Sequence, residues 1–128
     1  MRRVLVPPAF RAAHDALRFA PGIVSGGHVF VSGMTGSAPD GTMPSDPESQ
    51  FGAAFDKIAL VLAEAGLGLG DVVEMTSYHV GLRARFDLFD RVRRARLSEP
   101  YPAWTAVEVA GLRREGALVE IRAVAALP

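Results

Sequence analysis

Cysteine is absent from this chain of 128 residues, and that absence removes a disulfide framework, thiolate metal ligands and a cysteine nucleophile together. Net charge is absent too: 14 basic residues face 14 acidic ones. No overall field therefore draws the chain to nucleic acid or to an anionic membrane, and neither is expected as a partner. No apolar run nears the ~18 residues of a membrane span. The N-terminal Met1-Arg2-Arg3-Val4-Leu5-Val6-Pro7-Pro8 carries the charges of an export signal, but its apolar run falls far short of the roughly 7–15 residues such a signal needs. A cytoplasmic protein is the expectation. The three histidines, His14, His28 and His79, show no metal-ligand spacing, so no metal site is expected.

What is present is a globular composition, with 49% hydrophobic and 22% charged residues. The length suits one compact core, a single domain over residues 1–128. Val4-Leu5-Val6 reads as a short edge strand stopped by Pro7-Pro8, and residues 9–18 as a loop or one helical turn. Residues 19–25 and 28–32 flank Gly26-Gly27 as a β-hairpin. A loop with a turn at Pro39-Asp40-Gly41 follows. Asp46-Pro47-Glu48 then gives an N-cap, a proline at the first helical position and an acid in the first turn. Phe51, Ala54, Phe55, Ile58, Val61, Leu62 and Ala65 form one stripe that ends at Gly66. Residues 72–80 return to strand composition, with Val73, Met75, Ser77 and His79 predicted on one face. A second helix is predicted over 84–97, and the last two strands over 102–110 and 117–125. The order is β-ββ-α-β-α-ββ, an α+β mixed sheet with two helices on one face.

Several chemical patterns compete with plainer readings. The arginines at 91, 93, 94 and 96 read more simply as the solvated face of a helix than as an RNA site. Gly33-Met34-Thr35-Gly36 lacks the Lys-Ser/Thr of a phosphate loop, and Ser32 has no nucleophile-elbow context. The last two strands, taken as a hairpin turning near Arg113 and Arg114, place Trp104 opposite or diagonal to Arg122 and Ala106 near Glu120. Guanidinium against indole would leave that arginine free to bind a carboxylate, with Glu108 and Glu120 nearby. The same pattern also suits an ordinary sheet surface held by cross-strand pairs.

At this point the chain resembles the Rid family, also called the YjgF or endoribonuclease L-PSP family. The resemblance rests on Val29-Phe30-Val31-Ser32-Gly33, Pro39-Asp40-Gly41, Gln50-Phe51, Glu64-Ala65-Gly66, Asp71-Val72-Val73, Pro102-Ala103, Val107-Glu108-Val109-Ala110 and Gly116-Ala117-Leu118-Val119-Glu120-Ile121. It implies a chorismate-mutase-like fold, a homotrimer with ligand clefts between subunits, and cofactor-free hydrolysis of imines and enamines such as 2-aminoacrylate. It also marks departures. Trp104 stands where active members keep a substrate-binding arginine, and Arg122 where a water-directing glutamate is expected. Phe19, Met34, Asp90 and Ala106 replace a tyrosine, a glutamine, an asparagine and a small polar or cysteine residue, while Ser32 is kept.

Loss of the bidentate carboxylate clamp argues against ordinary 2-aminoacrylate deamination. The reading is therefore a Rid-like protein acting on a small imine, enamine or related conjugated metabolite by hydrolysis or tautomerisation. Arg122, Glu120 and Asp90 are its candidate catalytic residues, and Phe19, Ser32, Met34, Trp104 and Ala106 its candidate ligand contacts. A non-catalytic small-molecule binder on the same scaffold is the second reading, and RNA cleavage the third.

Overall fold

The structure is a computed structural model that describes residues 2–128. Helix α2, Pro47–Ala63, starts where its capping residues dictate, because the Asp46 carboxylate accepts from the Ser49 backbone N–H at 3.0 Å and from its hydroxyl at 2.7 Å. It ends where the left-handed Gly66, φ 73°, lets the Leu67 N–H reach the Leu62 carbonyl at 3.0 Å. The predicted stripe is its buried face, with Phe51, Ala54, Phe55, Ile58, Val61 and Leu62 each at most 1% exposed. Gln50 is buried beside it. Its amide donates to the carbonyls of Pro44 and Gly116 and accepts from the Leu118 N–H, tying the start of α2 to the approach of the last strand.

Six strands form one sheet: β1 Arg3–Leu5, β2 Gly22–Ser25, β3 His28–Met34, β4 Val72–His79, β5 Ala103–Glu108 and β6 Val119–Ala126. Their spatial order is β1-β2-β3-β6-β4-β5. The hairpin at Gly26-Gly27 is as predicted, with both glycines at positive φ and Ser25 paired with His28. So is the turn at residues 39–41, where Asp40 accepts from Thr42 and Gly41 takes φ 90°. Helix α3, Leu82–Arg96, joins α2 on one face of the sheet. The predicted order holds, with one addition. Residues read as a loop or a single turn form a short third helix, α1, Arg11–Leu17, stopped by Arg18 in the left-handed region.

Two expectations fail. The last two strands are not a hairpin: β5 runs parallel to β4 at the sheet edge, and β6 lies antiparallel between β3 and β4. The cause is burial. Val119, Ile121, Ala123, Val124 and Ala125 are all 8% exposed or less, which suits β6 to its place inside the sheet with a strand on either side, even though Glu120 and Arg122 interrupt the apolar run. β5 alternates between exposed and half-buried positions, as an edge strand does. The strand–helix–strand run of β4, α3 and β5 is thus a parallel crossover unit. The second failure is at Val73. A register irregularity between Val72 and Glu74 turns Val72 inward at 4% exposure and leaves Val73 45% exposed, so Val72 and not Val73 shares the face of Met75, Ser77 and His79.

Candidate functional site

The candidate residues fall into separate places. Trp104 pairs across the ladder with Met75, and Met75 with Ala123, so it faces the helices. Arg122 belongs to the next row, with Thr76 and Thr105, and projects from the opposite face. The predicted contact between Trp104 and Arg122 therefore does not form: a whole strand intervenes and the pleat sends the two side chains to different faces. Arg122 instead pairs with Glu74 at 3.3 Å. Ala106 pairs with Ser77, and Ala106 and Glu120 lie on strands separated by β4. Glu108 is occupied too, accepting from the Leu82 N–H at the start of α3.

Around Trp104 the structure builds a packed cluster. Its ring lies parallel to Phe86, with centroids 5.9 Å apart, and the Arg93 guanidinium carbon sits 4.1 Å from the ring centroid. Asp90 grips Arg93 through Oδ1 at 2.6 Å and Arg94 through Oδ2 at 2.8 Å. The Arg93 hydrogen bonds, with Arg94 behind them, hold its carboxyl below the usual range. The indole N–H donates to Ser77 Oγ at 2.9 Å, and Ser77 meets His79 Nε2 at 2.8 Å. So the cation over Trp104 is Arg93, from the helix, and not Arg122.

Burial pushes the His79 imidazole down to about 4. Between that value and the ordinary 6.5 an unfolded chain binds a proton that the folded chain refuses, so stability is complete above pH 6.5 and lost as pH falls through about 4. Urea denaturation at pH 7 and at pH 4.5 should differ by about 2 kcal/mol from this residue. His79→Gln should flatten that part of the acid limb.

The second place is a cavity of about 630 Å³ between α1, α2, the segment after β3 and the connection into β6, a volume that suits a small organic ligand. Phe10, Leu17, Phe19, Met34 and Leu60 supply apolar wall. Ser32 and Glu120 also line it, so four of the eight candidates, Phe19, Ser32, Met34 and Glu120, are brought together here. Trp104, Ala106, Asp90 and Arg122 are not part of its wall. Register slips between Val31 and Met34, and the bare Cα of Gly33 leaves room for the Glu120 carboxylate, which any Cβ there would strike. Gly36 is the stricter requirement, because a Cβ would run into the backbone of Gln50, which cannot swing aside as the Glu120 side chain can. Ser32 donates its hydroxyl to the Ala20 carbonyl at 2.6 Å, which leaves it lone pairs with which to accept from a ligand.

Sequence reasoning missed Lys57, Ser37 and Arg114 in this wall. Lys57 Nζ donates to Ser37 Oγ at 3.1 Å. Burial first, and the Arg114 charge second, push it down to about 8, against an opposing pull from Glu120. The one available signal was the glycine-rich Gly33-Met34-Thr35-Gly36, set aside because it is not a phosphate loop. Among the described residues no group of three or more His, Asp or Glu side chains could hold a metal ion, and no helix is long and apolar enough to cross a membrane.

Comparison with known proteins adds kinship to this geometry. The sequence model described as Endoribonuclease L-PSP matches residues 11–127. The "RutC family protein YjgH" of Escherichia coli is 35% identical over 128 residues, which are 99% of this chain and 96% of that one. The solved structure of protein YjgH superposes with a TM-score of 0.90 at 34% identity, covering 99% of this chain and 97% of the other. The E. coli protein named "Putative reactive intermediate deaminase TdcF" is 30% identical over 111 residues, 84% of each chain. The crystal structure of E. coli TdcF with bound serine gives a TM-score of 0.78 at 27% identity, covering 86% and 88%.

Proposed function

This chain belongs to the endoribonuclease L-PSP family, with its chorismate-mutase-like α+β fold, and on that premise we propose that it hydrolyses or tautomerises a small imine or enamine in the cavity beside Gly33. The observation that carries the proposal is Glu120. It is the one carboxylate among the candidate catalytic residues that lines the cavity, held against Gly33 in a wall that also includes Ser32 and apolar side chains. The resemblance assigned a water-directing glutamate to the position of Arg122, but Arg122 projects elsewhere and pairs with Glu74. Glu120 takes the role instead. It accepts a proton from water as the oxygen adds to the imine carbon and passes it to the nitrogen, giving a carbinolamine; it then takes the hydroxyl proton and delivers it to the nitrogen as the C=O bond forms and ammonia leaves. An enamine is first protonated at its β-carbon. Neither step requires a group beyond water and a proton carrier.

A reactive intermediate deaminase in name and a serine-bound structure among the relatives support a small-molecule substrate. RNA cleavage is not the reading, because the chain's charges cancel and the cavity is of small-molecule size. We place the protein in the cytoplasm as a homotrimer. Supporting the trimer, the helices cover one face of the sheet only, and Phe30 and Val73 stand 41% and 45% exposed. A neighbouring copy is what would bring the Trp104 cluster to the cavity. Imines released by an amino-acid oxidase should yield ammonia faster in the presence of the protein than in its absence. Saturable ligand binding with no such acceleration would instead identify a binder without turnover.

A further inference from the structure

In the resemblance Trp104 stands in place of a carboxylate-binding arginine, and Phe86, Arg93 and Ser77 hold it in a packed cluster. The cavity, however, is rich in positive charge. Lys57, Arg113 and Arg114 line it against two carboxylates, Asp56 and Glu120, and Asp56 is already in an ion pair with Arg96 from α3. No ion pair engages Lys57, Arg113 or Arg114 among the described residues. Ser37 is the one protein acceptor that Lys57 meets, and an ammonium has three hydrogens to donate.

From this imbalance we infer that Lys57 is the anion anchor of the cavity, gripping the carboxylate of a ligand whose apolar body lies along Phe10, Leu17, Phe19, Met34 and Leu60. The ligand class is a 2-imino or 2-oxo acid with a bulky apolar side chain. Two features support the size and character of that body. The cavity of about 630 Å³ far exceeds what a three-carbon acid fills. Leu17 and Leu60 stand 43% and 44% exposed on its wall, surface that an apolar group would cover. For the anion, Arg114 adds a second positive charge near Lys57, whose proton affinity is lowered first by burial and then by that charge, against a pull from Glu120. A charge-assisted bond from a half-buried ammonium is stronger than one made in open water. The inference rests on the family reading for the imino or oxo group, and on the cavity alone for the anion.

Binding of stable keto compounds to the full-length protein tests it by calorimetry, with three probes: phenylpyruvate, pyruvate, and phenylacetone, which keeps the aromatic body without the carboxylate. Phenylpyruvate should bind at least 10-fold more tightly than either of the others. Lys57→Met should lose about 10- to 100-fold of that affinity, the loss of a hydrogen bond to a charged group, and leave phenylacetone unchanged. Lys57→Arg should recover most of it. Circular dichroism on each variant separates lost binding from lost structure. Equal phenylpyruvate affinity in folded Lys57→Met, or wild-type preference for pyruvate, overturns the inference even if imines are turned over. Conversely, Lys57-dependent binding without ammonia release by the wild type leaves the anchor standing and overturns the hydrolase reading.

Discussion

Glu120→Gln is expected to lower imine hydrolysis by about 10²- to 10⁴-fold, the range that a positioned proton carrier contributes. The substitution keeps the size of the side chain, and so its packing along the bare Cα of Gly33, but an amide cannot take a proton from water. Binding of a stable oxo acid should change by less than the turnover does, because the carboxylate of such a ligand is gripped by Lys57 in our reading and not by Glu120. The signature is thus a fall in kcat with a modest change in KM, measured by ammonia release from oxidase-generated imines. Asp90→Asn provides the contrast. Asp90 is fixed by Arg93 and Arg94, its carboxyl is held below the ordinary range, and it does not line the cavity. Its replacement should loosen Arg93 over Trp104 and leave the catalytic rate within about an order of magnitude of the wild type. Loss of turnover in Asp90→Asn but not in Glu120→Gln would reverse the two roles.

The sequence carried the local structure of this protein far better than its long-range pairing. The Asp46 cap, the Gly26-Gly27 turn and the Gly66 stop each follow from the chemistry of two or three adjacent residues, and each was legible. The partner of β5 was not. A ten-residue connection with glycines at 111 and 116 reads as a hairpin turn, yet β6, buried at five of its eight positions, takes a strand on both sides and leaves β5 at the far edge of β4. The candidate site split on the same error. Phe19, Ser32, Met34 and Glu120 do share a cavity, because the β3 segment and β6 are true neighbours. Trp104 and Arg122 were joined only through the hairpin, and separated with it. Lys57 was illegible for a different reason. On a helix wheel it is simply a residue off the apolar stripe, and its burial arises from the Gly33–Ser37 segment and the β6 approach folding over it.

The residue on which the helices and the sheet jointly depend is Phe89, and Phe89→Ala should cost about 3–5 kcal/mol of stability, the range for removing a buried aromatic ring. Phe89 is 0% exposed. Its ring stands edge-on to Phe51 at 5.3 Å and stacks on Phe55 at 6.0 Å, both from α2. It also meets His79 of β4 edge-on at 4.5 Å and Trp104 of β5 at 6.2 Å. Truncation would open a void where two helices and two strands converge, and neither helix can close it without dragging the other away from the sheet. Against the 5–15 kcal/mol typical of a folded domain, such a loss leaves a large unfolded fraction. Urea titration followed by the fluorescence of the single tryptophan reads it directly, since Trp104 lies in the same cluster. Phe89→Leu, which keeps most of the volume, should cost markedly less. A loss under 1 kcal/mol in Phe89→Ala would mean that α3 is held by its polar contacts, Arg96 with Asp56 and Glu108 with the Leu82 N–H, rather than by this aromatic junction.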